Sequence, residues 1–195
     1  MSATSTFLTG GTSRETAIRH AVAVALGVGF LIAASKIRVP MWPVPMTMQT
    51  FAVLIVGGVC SLRMSATILV AWLSLGLLGF SVFTGEAAGA AYLAGPTAGY
   101  LAGFVAAALL VGAVSRRSNA GSPRSMVLSL ALGCVAIYTC GLLWMAWLFG
   151  ASQSASWILW NGMIVFVPGE ILKLAAAAAI LVAMRTRSDR QTKAK

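Results

Sequence analysis

Charge is scarce in this sequence. Only 9% of its 195 residues are Asp, Glu, Lys or Arg, whereas a soluble domain carries about 25%. Such a chain cannot cover itself with a hydrated surface. Acidic residues are scarcer still, at four against fourteen basic ones, and the single histidine is His20 at the start of the first apolar run. One histidine without an acidic cluster is too little for a metal centre or a Ser–His hydrolase. No GxxxxGK[ST] loop occurs, which excludes ATP hydrolysis by a P-loop. The three cysteines, Cys60, Cys134 and Cys140, lie in apolar runs without CxxC spacing, so they read as small core residues and not as a disulfide or metal framework. The polar first sixteen residues lack a cleavable signal pattern, so the first apolar run is expected to be retained.

What the chain has in abundance is apolar sequence, 59% of the total. The runs are long, which favours helices over the short alternating strands of a β-barrel. The expectation is an all-α, multi-pass membrane protein of six transmembrane helices. The spans fall at Ala17–Ser35, Thr47–Leu62, Met64–Leu78, Pro96–Val114, Ser125–Gly150 and Trp157–Met184. The second is short: 16 residues give about 24 Å against a hydrocarbon core of about 30 Å. The sixth is long at about 42 Å, and must tilt, project or break at Pro168. One membrane domain, 17–184, thus lies between a tail at 1–16 and a basic tail at 185–195.

Six spans with cytoplasmic termini put Arg14, Arg19, Arg63, Arg116, Arg117, Arg124, Arg185, Arg187, Arg190, Lys193 and Lys195 inside. Only Lys36 and Arg38 fall outside, and Lys173 lies within a span. That asymmetry predicts the orientation. It also accounts for the net charge of +10 without nucleic acid, since basic loops fix topology and meet the anionic head groups of the bilayer.

On the outer side the link "KIRVPMWPVP" and the Gly/Ala-rich stretch Gly79–Pro96 are too polar and irregular to face lipid. Their backbone groups need protein or a water-lined cavity. Trp42 and Trp157 read as interfacial aromatics. Phe83 and Tyr92, set among glycines, read equally well as belt or as pocket wall. In "VFVPGEILKLAAAAAILVAM", Glu170 and Lys173 interrupt an apolar span, where a charge costs about 2.5–3.5 kcal/mol. Spacing i,i+3 puts both on one face. They form either a self-neutralised structural pair or a site for a small solute with donor and acceptor groups. Pro168 and Gly169 before them suggest a loosened turn.

Four motifs, "VPMTMQTFAVLIVGG" (44–58), "GLLGFSVFTG" (76–85), "GPTAGYLAGF" (95–104) and "FVPGEILKLAAAA" (166–178), together resemble the BioY family, the biotin-specific substrate-capture subunits (S components) of energy-coupling factor (ECF) vitamin transporters. The resemblance spans residues 17–184. It implies a six-helix S component in the bacterial cytoplasmic (inner) membrane that captures biotin with high affinity from outside. It also implies a transmembrane coupling subunit of the EcfT or BioN type and ATPase subunits of the EcfA or BioM type. No cofactor and no catalysis by this chain are implied; biotin is cargo.

Carried onto this sequence, the resemblance implies biotin contacts from Glu170, Lys173, Tyr92, Phe83, Gln49, Tyr100, Gly95 and Thr97. Relatives often carry Asp at the position of Glu170. They often carry a basic residue before "GPTAGY"; residues 86–94 here have none. That leaves Lys173 or backbone N–H groups of Gly85–Gly95 for the biotin carboxylate.

A second pattern lies in the first span, where Ala17, Ala21, Ala25, Gly29 and Ala33 recur every four residues. A stripe of small residues lets another helix approach closely. It either packs inside the bundle or, as the resemblance implies, docks the coupling subunit. A stand-alone carrier or channel for a small carboxylated solute is the alternative, but the charge-free fifth span offers it no polar path. An intramembrane enzyme lacks a catalytic set.

Overall fold

The computed structural model describes residues 13–117 and 123–193. Eight α-helices carry the fold: α1 Ser13–Lys36, α2 Gln49–Val59, α3 Leu62–Leu77, α4 Gly89–Leu93, α5 Ala98–Arg117, α6 Pro123–Phe149, α7 Ala155–Gly162 and α8 Val167–Lys193. A two-stranded antiparallel hairpin, β1 Arg38–Val39 and β2 Met46–Thr47, adds the only strands among the described residues, with Arg38 opposite Thr47. It was not expected of an all-α chain. It forms where three prolines, Pro40, Pro43 and Pro45, bar a helix and reverse the link between α1 and α2.

Among the described residues four stretches are long and apolar enough to cross a membrane: Arg14–Lys36, Ala98–Ser115, Pro123–Phe149 and Ala155–Arg187. α2 and α3 are shorter apolar helices. Their surfaces fit lipid, since large side chains such as Leu78, Leu143, Trp147 and Leu172 stand exposed on the outside of the bundle, where water would make them costly. The chain is a multi-pass membrane protein. α1 already begins at Ser13 and α8 continues to Lys193, so helix extends into both of the expected tails. Residues 1–12, Ser118 and Lys195 lie outside the described residues.

Packing follows the small residues. α5 lies against α6 through Gly99 and Gly103; a Cβ on Gly103 would stand 2.7 Å from the Ile137 backbone. Only glycine permits that approach, and dispersion between close backbones is what holds helices together in lipid. The main core gathers Leu31, Ile68, Leu69, Trp72, Phe83 and Phe104, and a smaller one joins Leu54, Val111, Leu130 and Leu181. No cysteine forms a disulfide.

The sixth apolar run does break, but not at Pro168. α7 ends at Gly162, Met163 leaves helical geometry (φ −142°, ψ −54°), and a 3₁₀ turn Ile164–Phe166 leads into α8. Pro168 is the second residue of α8. There its missing N–H costs nothing, because first-turn N–H groups have no intrahelical partner. Gly169 continues the helix and gives room instead: its bare Cα faces the Met46 sulfur of the hairpin.

The irregular stretch 79–97 is held by side chains from its neighbours. Lys36 Nζ donates to the carbonyls of Ser81 (2.6 Å), Phe83 (3.0 Å) and Gly85 (2.6 Å). Ser35 Oγ and Trp72 Nε1 donate to Val82 O, and Trp144 Nε1 donates to Gly95 O. Backbone polarity that helix would have satisfied internally is thus met by protein donors.

Candidate functional site

A partly enclosed cavity opens where these irregular segments meet. The hairpin supplies Met46 and Thr47, the start of α2 supplies Gln49 and Thr50, and the 79–97 stretch supplies Thr84, Tyr92 and Thr97. α5 adds Tyr100 and Phe104, α6 adds Ile137 and Tyr138, the turn before α8 adds Phe166, and the first turn of α8 adds Glu170. The brevity of α2 makes the room. Eleven residues cover about 16 Å, and the cavity lies at the N-terminal end of this helix, against Gln49 and Thr50.

Glu170 lies in the first turn of α8, where the helix dipole favours negative charge. Its Oε1 accepts from Lys173 Nζ at 2.6 Å, and both residues are buried. The neighbours Ile171 and Leu172 face outward, so the pair points into the bundle as i,i+3 spacing requires. Lys173 neutralises the carboxylate from behind and does not line the cavity. The second oxygen, Oε2, accepts no hydrogen bond within 3.5 Å, although the Tyr138 hydroxyl lies near enough to interact with this carboxylate.

Across the described residues four buried side-chain polar atoms lack a hydrogen-bond partner: Glu170 Oε2, Gln49 Nε2, Thr84 Oγ1 and Thr97 Oγ1. All four residues line this cavity. Gln49 is oriented by Thr47, whose hydroxyl donates to Oε1 at 3.0 Å, which leaves the amide N–H₂ as donor. Buried polar groups are rarely left unpaired, because each costs about 1–3 kcal/mol. Together they give the cavity a carboxylate acceptor, an amide donor and two hydroxyls, with Tyr92 close to Thr97 and Tyr138 close to Glu170.

Aromatic rings close the remaining walls. Tyr92 stacks on Phe83 (centroids 4.8 Å, planes 19° apart), and Phe83 meets Trp72 edge-on at 5.1 Å. Burial, opposed more weakly by Thr97, Thr84 and Arg38, raises the Tyr92 phenol above its ordinary range, so it stays a neutral donor at physiological pH. Tyr100 donates its hydroxyl to Gly162 O at 2.6 Å. It therefore offers the cavity only its ring, and its polar end braces the broken α7–α8 junction.

Of the residues that the sequence nominated, Gln49, Tyr92, Thr97, Tyr100 and Glu170 meet at the cavity. Phe83 is fully buried behind Tyr92, and the Gly95 carbonyl is taken by Trp144. Thr84 and Tyr138 were missed. Thr84 stood in plain view in "FTG", while Tyr138 was hidden in the charge-free fifth span, where it is the only tyrosine. The stripe Ala17, Ala21, Ala25, Gly29 and Ala33 is exposed. Ala21, Ala25 and Gly29 border a shallow apolar groove between α1 and α3.

Fold and cavity define a membrane-embedded helical bundle with a cavity lined by polar and aromatic side chains at its irregular end. The chain belongs to the BioY family, whose sequence profile matches residues 5–190. It is 31% identical over 166 residues to a probable biotin transporter BioY of Pyrococcus horikoshii, covering 85% of this chain and 94% of that one. It is 30% identical over 172 residues to the biotin transporter BioY of Rhizobium etli, covering 85% and 88%. A crystal structure of the S-component for biotin from an ECF-type ABC transporter shares the fold, with a TM-score of 0.78 and 22% identity over 91% of this chain and 95% of that one.

Proposed function

We propose that this protein captures biotin from outside the bacterial cytoplasmic membrane as the substrate-specific subunit of an ECF-type transporter. The observation that carries the reading is the set of four orphaned polar atoms around one aromatic-walled cavity. Biotin presents a ureido group with two N–H donors and a carbonyl, a thioether ring and a carboxylate tail. Glu170 Oε2 accepts a ureido N–H, Gln49 Nε2 donates to the ureido carbonyl, and the two threonine hydroxyls serve either role. Tyr92, Tyr100 and Phe104 enclose the apolar ring system. Relatives named as biotin transporters support the ligand.

In this reading α1, α2, α3, α5, α6 and the α7–α8 unit are the six spans, and both termini are cytoplasmic. The cavity then opens outward, beside Lys36 and Arg38. The chain has no ATP-binding motif of its own, so energy comes from ATPase subunits through a transmembrane coupling subunit. The small-residue stripe on α1 is the proposed docking face, since it is exposed and flat. Reconstitution into liposomes tests the division of labour. The chain alone should bind radiolabelled biotin but not concentrate it, and addition of coupling and ATPase subunits with ATP should give uptake. Concentrative uptake by the chain alone would favour a secondary carrier.

A further inference from the structure

We propose that Arg38 holds the carboxylate of the ligand and makes the site selective for an anionic tail. The inference rests on the biotin reading above and names a residue that the sequence motifs did not single out.

A carboxylate emerging from the cavity needs a cation, and few are near. Lys173 is committed to Glu170 at 2.6 Å and does not reach the cavity wall. Lys36 has three ammonium protons and gives them to three carbonyls. It is saturated by the loop that it ties down. Arg38 is different. It stands on β1 opposite Thr47, a cavity residue. Its guanidinium lies over Gly85, so close that a Cβ there would be 2.7 Å from Nη1. Gly85 follows the cavity residue Thr84, and its φ of +64° is a conformation that glycine adopts without strain. One absent side chain thus serves both the turn and the seat of the guanidinium.

From that seat the charge of Arg38 reaches the Tyr92 phenol, another wall of the cavity. The residue is exposed, and it forms no ion pair with a carboxylate among the described residues. Arg38 is therefore a cation with no carboxylate of its own, held beside the cavity residues Thr47 and Tyr92 without lining the cavity itself. The planar fork of a guanidinium matches a carboxylate in a two-point contact. The hairpin places it where a flexible tail would leave a ring system bound between Glu170 and Tyr92.

The test is titration of the detergent-purified chain with biotin and with biotin amide, which keeps the ring system and loses only the charge. The parent protein should prefer biotin by about tenfold or more. Arg38→Gln should lower biotin affinity to that of the amide and leave amide affinity unchanged, while Arg38→Lys should keep part of the preference. An undiminished preference in folded Arg38→Gln would overturn the proposal and leave the biotin reading standing. An equal loss for both ligands would also overturn it, by showing that Arg38 acts through the Gly85 turn. If the folded parent binds neither ligand, the biotin reading fails and Arg38 falls with it.

Discussion

At the scale of single residues, Glu170 and Lys173 are one device with two jobs. Lys173 makes a buried carboxylate tolerable in the bundle, and in the proposed site Glu170 keeps one oxygen for the ligand. Removal of either partner leaves a buried charge unpaired. Glu170→Ala and Lys173→Ala should each weaken biotin binding at least tenfold, about 1.4 kcal/mol. The lysine variant should act at one remove, because Lys173 does not touch the cavity. Titration calorimetry on monodisperse variants measures this, and parental affinity in either would make the pair purely structural. The Glu–Lys interruption was visible in the sequence because charge is so rare there. The orphaned hydroxyls of Thr84 and Thr97 were not, because only tertiary packing decides which threonines lose their partners.

At the scale of elements, the break between α7 and α8 matters most. Length alone showed that the sixth run was too long for one straight span. It did not show where the break falls, because Pro168 marks the start of a helix as readily as an interruption. Tyr100 holds the break through its hydrogen bond to Gly162 O. Tyr100→Phe leaves that carbonyl unpaired and should destabilise the protein by about 1–3 kcal/mol. A lowered thermal midpoint in detergent, with biotin still bound at saturation, is the expected result. The hairpin was beyond reach of sequence reading, since strands of two residues leave no periodicity. On α1 the stripe was legible as a pattern but not as to which way it faced. Its exposure, with no atom within 4 Å of a Cβ built on Gly29, argues for an external partner. Ala25→Leu should retain biotin binding and lose co-purification with a coupling subunit. Lost binding with intact co-purification would turn the stripe toward the bundle interior.

At the scale of the whole molecule, the chain is asymmetric between its two ends. The irregular segments, the cavity and the cluster Trp42, Phe149 and Trp157 (centroids 5.7–6.4 Å apart) gather at one end. Most basic residues belong to the other in the six-span arrangement. Composition alone made the membrane class legible, and the order of four motifs made the family legible. The cavity itself was not, because it is assembled from segments more than 120 positions apart, from Gln49 to Glu170. Orientation can be read by single cysteines in a background without Cys60, Cys134 and Cys140. Cysteine at Ser152, in the turn before α7, should react with an impermeant thiol reagent on intact cells, and cysteine at Ser118 should not. The reverse pattern would invert the protein in its membrane.

All of this turns on whether the four unpaired polar groups are there for a ureido ring. The direct measurement is titration of the purified, folded chain with biotin and with biotin alkylated on a ureido nitrogen. Saturable one-to-one binding of biotin, weakened at least tenfold by the alkyl group, is the result expected if Glu170 accepts that N–H. Absence of biotin binding, or equal affinity for the two, would contradict it.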